Sequence, residues 1–78
     1  MEMIYQKLKL AFADVFDEED LEINSETSAA DVMGWDSLNH LRLIAAVERL
    51  FAIKFATIEI RKAQNVGEFV RIIESKLS

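Results

Sequence analysis

The chain has no cysteine and no proline, and only two glycines, one tryptophan and one histidine among 78 residues. Without cysteine there is no disulfide and no thiolate of the protein's own, so packing alone must hold the fold. One histidine and no cysteine leave no zinc-ligand set. With proline absent, nothing in the chain forces a helix break. Basic residues are in deficit: 9 Lys and Arg against 14 Asp and Glu give a net charge of −5. That balance argues against nucleic acid, whose phosphates require a basic face, and suits solubility and partners with basic surfaces. No apolar run reaches membrane-spanning length. Glu2, Lys7 and Lys9 break up the N-terminal apolar residues, unlike a secretion signal. The expectation is one small cytoplasmic domain over residues 1–78, a monomer with no membrane span and no nucleic-acid partner.

What is present is mostly helical periodicity. Over residues 2–16, Ile4, Tyr5, Leu8, Ala11, Phe12, Val15 and Phe16 fall on one arc at 100° per residue, with Leu10 the outlier on the exposed side. Residues 17–35 are different in kind. They open on Asp17-Glu18-Glu19-Asp20 and continue through Asn24, Ser25, Glu26, Thr27 and Ser28, with Leu21, Ile23, Val32 and Met33 available to dip into a core. A loop this long inside a small domain is often functional. It is not a calcium loop, because counting from Asp17 the sixth position is Glu22 rather than glycine and the twelfth is Ser28 rather than glutamate. Asp31 to Met33 is expected to form a helical turn.

A second helix is expected over 37–51. Leu43, Ile44, Val47, Leu50 and Phe51 share its core arc, and His40 lies within that arc in the first turn. Across the helix, Leu38, Leu41 and Ala45 make a short apolar strip, with Ala46 also on that side and a border of Arg42, Glu48, Arg49 and Asn39. Two readings of the strip stand open: a docking surface for a partner, or peripheral core. Residues 52–56 read as an extended connection with buried apolar side chains, since no strand partner exists elsewhere. Thr57 is expected to cap a short third helix over 58–62. Asn65 with Glu68 makes a variant capping box for a last helix to about Lys76, lined by Val66, Phe69, Val70, Ile73 and Leu77.

The stretch Gly34-Trp35-Asp36-Ser37-Leu38 joins the polar loop to the second helix. Glycine frees the backbone, Asp36 is a good N-cap, and Ser37 opens the helix at the positive end of its dipole. A phosphate joined to the Ser37 hydroxyl would lie where backbone N–H groups and the dipole favour an anion. The plain alternative is that Asp36 and Ser37 only cap a helix. His40, three residues on, is placed to suggest a Ser–His dyad. The wheel argues against it, because Ser37 points to the strip side and His40 to the core side. Trp35 is expected to pack over the loop.

With a helix, a long loop, Asp-Ser-Leu opening a second helix, a short third helix and a fourth, the chain resembles the acyl carrier protein family, peptidyl and D-alanyl carriers included. The resemblance rests on Gly34-Trp35-Asp36-Ser37-Leu38, Glu48-Arg49-Leu50-Phe51, Ile53-Lys54-Phe55, and Val66 with Phe69 and Val70. It implies an all-α four-helix carrier bundle with no enzymatic activity. It implies a 4'-phosphopantetheine arm attached to Ser37, next to Asp36, by a phosphopantetheinyl transferase using coenzyme A and magnesium. Acyl or aminoacyl intermediates would ride on that arm as thioesters. Partners would be the transferase, a loading enzyme and a downstream synthase or transferase. They would read Leu38, Asn39, Leu41, Arg42, Ala45, Glu48 and Arg49 on the second helix. Fatty-acid carriers bear acidic residues here, whereas this chain has Asn39, Arg42 and Arg49. That departure leans toward a dedicated biosynthetic pathway, in lipid or polyketide synthesis or at the cell surface. Two other readings remain: a carrier-shaped scaffold whose serine is never modified, and a helical regulatory domain with no cofactor.

Overall fold

The apolar arcs of the sequence become the buried sides of three of the four helices. The computed structural model describes residues 2–18 and 21–77. They form α1 (Glu2–Phe16), α2 (Ser37–Phe51), α3 (Thr57–Lys62) and α4 (Val66–Leu77), with no strand among the described residues. Phe12, Phe69, Leu8, Leu43, Ile73, Val47 and Val66 are fully buried. They come from α1, α2 and α4, so three helices build the core, and α3 adds the partly buried Ile60. Burying a side chain of this kind is worth about 1.5–3 kcal/mol. Glu19 and Asp20 of the acidic cluster lie outside the described residues.

Four apolar positions depart from the arcs. Met33 is exposed because it lies in a turn whose bonds aim Val32 and Trp35 inward instead. Leu50 and Leu77 are also exposed, each at the last turn of its helix, where the bundle no longer covers that edge. Ala46 is buried, because the packed stripe of α2 is wider than the arc of large residues. Leu10 is exposed, as its position predicts. Residues 31–33 do not form a helical turn. Two hydrogen-bonded turns take their place, with Asp31 N–H donating to Ser28 O and Trp35 N–H to Val32 O.

Two helices end on a left-handed residue that is not glycine: Asp17 after α1 (φ 54°) and Ala52 after α2 (φ 55°). The Ala52 N–H closes α2 on Glu48 O. Such a conformation costs a non-glycine residue about 1–2 kcal/mol. Phe51 before Ala52 and Phe55 after it are both buried, which anchors the chain on either side.

The long loop is clamped to the start of α4. Val66 N–H donates to Thr27 O, Gly67 N–H donates to Ser25 O, and Ser28 pairs with Asn65 in an isolated antiparallel bridge. Thr27 is buried, its hydroxyl accepting from Asn24 N–H. Gly67 permits this approach, since a Cβ there would lie 2.8 Å from Ser25 O. Gly67→Ala is therefore expected to cost about 1–3 kcal/mol by overpacking against backbone. Denaturant unfolding checks this, and an unchanged midpoint would show that the clamp yields freely.

α3 starts one residue earlier than its sequence suggests. Ala56 is the N-cap and Thr57 the first helical residue, because Glu59 reaches back to accept the Ala56 N–H at 2.7 Å. Asn65 caps α4 through Glu68 N–H at 2.9 Å, while the Glu68 carboxylate pairs with Arg71 instead of completing the box. The Lys76 ammonium of α4 lies 2.8 Å from Glu59 and ties α3 down. The Lys76 hydrogen bond, then the Ala56 N–H, hold the Glu59 carboxyl below its ordinary value of 4.5. A depressed carboxyl contributes stability in full above that ordinary value and loses it as pH falls through the lowered one. Melting Lys76→Met across the acid range should give a shallower acid-side decline than the wild type shows. Parallel curves would remove Glu59 from the acid response.

Candidate functional site

The turn ahead of α2 is built on Gly34, whose φ of +90° disfavours any side chain. Its carbonyl accepts from Asp36 N–H at 2.9 Å and from the Asn39 amide at 2.7 Å. This sharp reversal sends Trp35 inward and Asp36 outward. Asp36 is extended (φ −112°, ψ −172°), and its Oδ1 accepts Asn39 N–H at 2.9 Å, the expected N-cap. Its backbone carbonyl accepts His40 N–H at 2.8 Å.

Ser37 follows as the first residue of α2, and it is exposed. Its hydroxyl makes no hydrogen bond to the described residues. The N–H groups of Ser37 and Leu38 also meet no protein acceptor among those residues. The site therefore offers a reachable hydroxyl, two free backbone donors and the positive end of a 15-residue helix. Those features suit a phosphate ester on Ser37, with Ser37 and Leu38 N–H beside it and Asp36 keeping the helix start in place.

Trp35 joins the core rather than the surface. It is 8 % exposed and meets Phe12 edge-on at 5.2 Å. Its indole N–H donates to His40 Nδ1 at 3.0 Å, and His40 Nε2 lies 2.9 Å from Ile60 O. Indole nitrogen can only donate, so Nδ1 accepts and Nε2 carries the proton toward the carbonyl. Both imidazole nitrogens are thus committed, and neither serves Ser37 as a base. The Trp35–His40–Ile60 chain links the turn, α2 and α3 beneath the serine. The helical wheel puts His40 on the core side of the first turn but does not show this bridge. The signal was a lone tryptophan five residues ahead of a lone histidine, which becomes meaningful only once α3 is in place.

Ser37 and Asp36 open onto a surface cleft of about 630 Å³ between the start of α2 and the end of α3, floored by Trp35, His40 and Ile60. Along α2, Leu38 is 61 % and Leu41 56 % exposed. Arg42, Ala45 and Arg49 are exposed beside them. Asn39 is half-buried, bonded back to Gly34. Glu48 is half-buried as well, because its Oε2 accepts Phe55 N–H at 2.7 Å and braces the α2–α3 connection. No cluster of three or more metal-ligating side chains occurs among the described residues, and no helix there is long and apolar enough to cross a membrane.

Comparison with known proteins agrees with this geometry. The model of the family described as "Phosphopantetheine attachment site" matches residues 6–73. An acyl carrier protein of Clostridium acetobutylicum is 36 % identical over 73 residues, covering 94 % of this chain and 95 % of that protein. One from Coprothermobacter proteolyticus is 33 % identical over 76 residues, covering 97 % and 93 %. The solution structure of a holo acyl carrier protein from Geobacter metallireducens superposes with a TM-score of 0.87 at 39 % identity, over 99 % of this chain and 87 % of that one. A family model spanning most of the chain, relatives above 30 % identity along nearly its whole length and a shared four-helix fold lead to one assignment. The chain belongs to the acyl carrier protein family, phosphopantetheine-bearing proteins that carry rather than catalyse.

Proposed function

We propose that Ser37 is the point of phosphopantetheine attachment, and that the protein presents acyl or aminoacyl intermediates to the enzymes of a dedicated biosynthetic pathway. The observation that carries this reading is the Ser37 hydroxyl itself: exposed, free of internal bonds, and first in α2 beside two unpaired N–H groups. The group supplies a flexible arm ending in a thiol, which a chain without cysteine lacks. Around it each residue has a task. Asp36 fixes the helix start, and the N–H groups of Ser37 and Leu38 favour the negative charge. His40 and Trp35 hold the floor of the cleft. With His40 committed to Trp35 and Ile60, activation of the Ser37 hydroxyl falls to the transferase.

Partner enzymes on this reading dock over Leu38, Asn39, Leu41, Arg42, Ala45, Glu48 and Arg49. The strip is apolar in the middle and charged at its border, the usual anatomy of a modest transient interface. Arg42 and Arg49 stand outward where a run of carboxylates would face a basic enzyme, which supports specialised rather than general acyl-chain partners. No observation favours an unmodified scaffold over the carrier. The test is intact mass after co-expression with a broad-specificity phosphopantetheinyl transferase. One added phosphopantetheine per chain is expected, and a folded chain that stays unmodified would overturn the reading in favour of the scaffold.

A further inference from the structure

The α2–α3 segment runs against the charge of the rest of the chain. The protein carries a net −5, yet between Asp36 and Asn65 five cations (Arg42, Arg49, Lys54, Arg61, Lys62) outnumber three carboxylates. The fold engages an oxygen of each of those three carboxylates, and leaves only Asp36 exposed. Asp36 Oδ1 holds Asn39 N–H, Glu48 Oε2 holds Phe55 N–H, and Glu59 Oε1 holds both Ala56 N–H and the Lys76 ammonium. Arg42, Arg49, Lys54 and Arg61 form no ion pair among the described residues. The surplus acid is concentrated elsewhere, with eight carboxylates and no cation from Asp14 to Asp31.

The same segment exposes large apolar side chains. Leu38 and Leu41 on α2 and Ile58 on α3 are each more than half exposed. Arg42 follows Leu38 by one helical turn, Arg61 follows Ile58 by three residues, and Leu41 and Arg61 line the cleft at Ser37. We infer that this face docks on a protein partner whose surface sets carboxylates around an apolar hollow. Screening supports the choice. At physiological salt a charge is screened within about 8 Å, so the arginines set among the exposed apolar side chains weigh most at contact. An anionic lipid surface or a nucleic acid extends far past that face, and so meets the net negative charge of the whole molecule.

The inference narrows the reading of α2 as a docking face. Its test runs on Ser37→Ala as well as wild-type protein, so a failure here is separable from a failure of Ser37 loading. Nitrogen-15-labelled protein is titrated with an amphipathic helical peptide of leucine and glutamate, with its leucine and lysine counterpart, and with phosphatidylglycerol vesicles. The glutamate peptide should shift Leu38, Leu41, Arg42, Ile58 and Arg61, and should bind more weakly as salt rises. Arg42→Glu with Arg61→Glu should weaken it at least about tenfold. Preference of the lysine peptide for this face, capture by the vesicles, an unaffected double variant or no shift at all would each overturn the inference. If that variant loses its dispersed spectrum, the wild-type salt dependence decides.

Discussion

Ser37→Ala is expected to abolish phosphopantetheine loading while leaving helicity and unfolding midpoint nearly unchanged. The reason lies in what the hydroxyl does not do. It bonds to nothing among the described residues and stands in the open. The N-cap belongs to Asp36, whose Oδ1 still receives Asn39 N–H when the serine is gone. Alanine is a good helix former, so the first turn of α2 loses nothing in propensity. Surface substitutions of this kind stay within about 0.5 kcal/mol. Loading falls by all of it, because no other described hydroxyl opens a long helix: Thr57 opens only the six-residue α3, Ser25 and Ser28 sit in the loop, and Ser28 bonds to Asp31. Intact mass reports the loading and far-UV circular dichroism the fold. Large unfolding in Ser37→Ala would mark the serine as a structural residue. Residual modification would place the attachment elsewhere.

The parts of the molecule that sequence periodicity reached are those with local causes. α1, α2 and α4 follow from repeats of 3 and 4 in Ile4, Leu8, Phe12 and their counterparts, and those side chains are buried. Asp36 as N-cap and Ser37 as an exposed first residue follow from the chemistry of a helix start. Other features depend on contacts between distant residues. Glu48 looks like a surface carboxylate on the wheel, yet it accepts Phe55 N–H across the α2–α3 connection. Gly67 looks like a weakness in the first turn of α4 until Ser25 O is brought to it. Met33 and Val32 are equally apolar neighbours, and only the turn bonds decide that Val32 goes inside. Ala52 carries no mark of the left-handed conformation it adopts, which glycine would have announced.

Phe69→Ala is expected to leave the protein largely unfolded at room temperature. Phe69 is wholly buried, and its ring gathers groups from every part of the chain. Phe12 of α1 lies at 6.3 Å, Trp35 of the turn at 6.3 Å, His40 of α2 at 5.8 Å and Phe55 of the connection at 6.1 Å. Truncation removes the ring's transfer energy and opens a cavity that these flat, interlocked neighbours cannot close. Substitutions of this type cost about 3–5 kcal/mol. A core of this size without disulfides rarely supplies more than about 3–5 kcal/mol in total, so the loss matches the whole reserve. Trp35, the only tryptophan, reports the outcome directly, since its buried indole should shift its emission to the red as the ring becomes wet. Phe69→Leu, which keeps most of the apolar volume, should lower the unfolding midpoint and retain a cooperative transition. The site would fall with the core in Phe69→Ala, because Trp35 and His40 anchor the turn that presents Ser37. A folded Phe69→Ala with wild-type emission would mean that the aromatic cluster is not what holds the helices together.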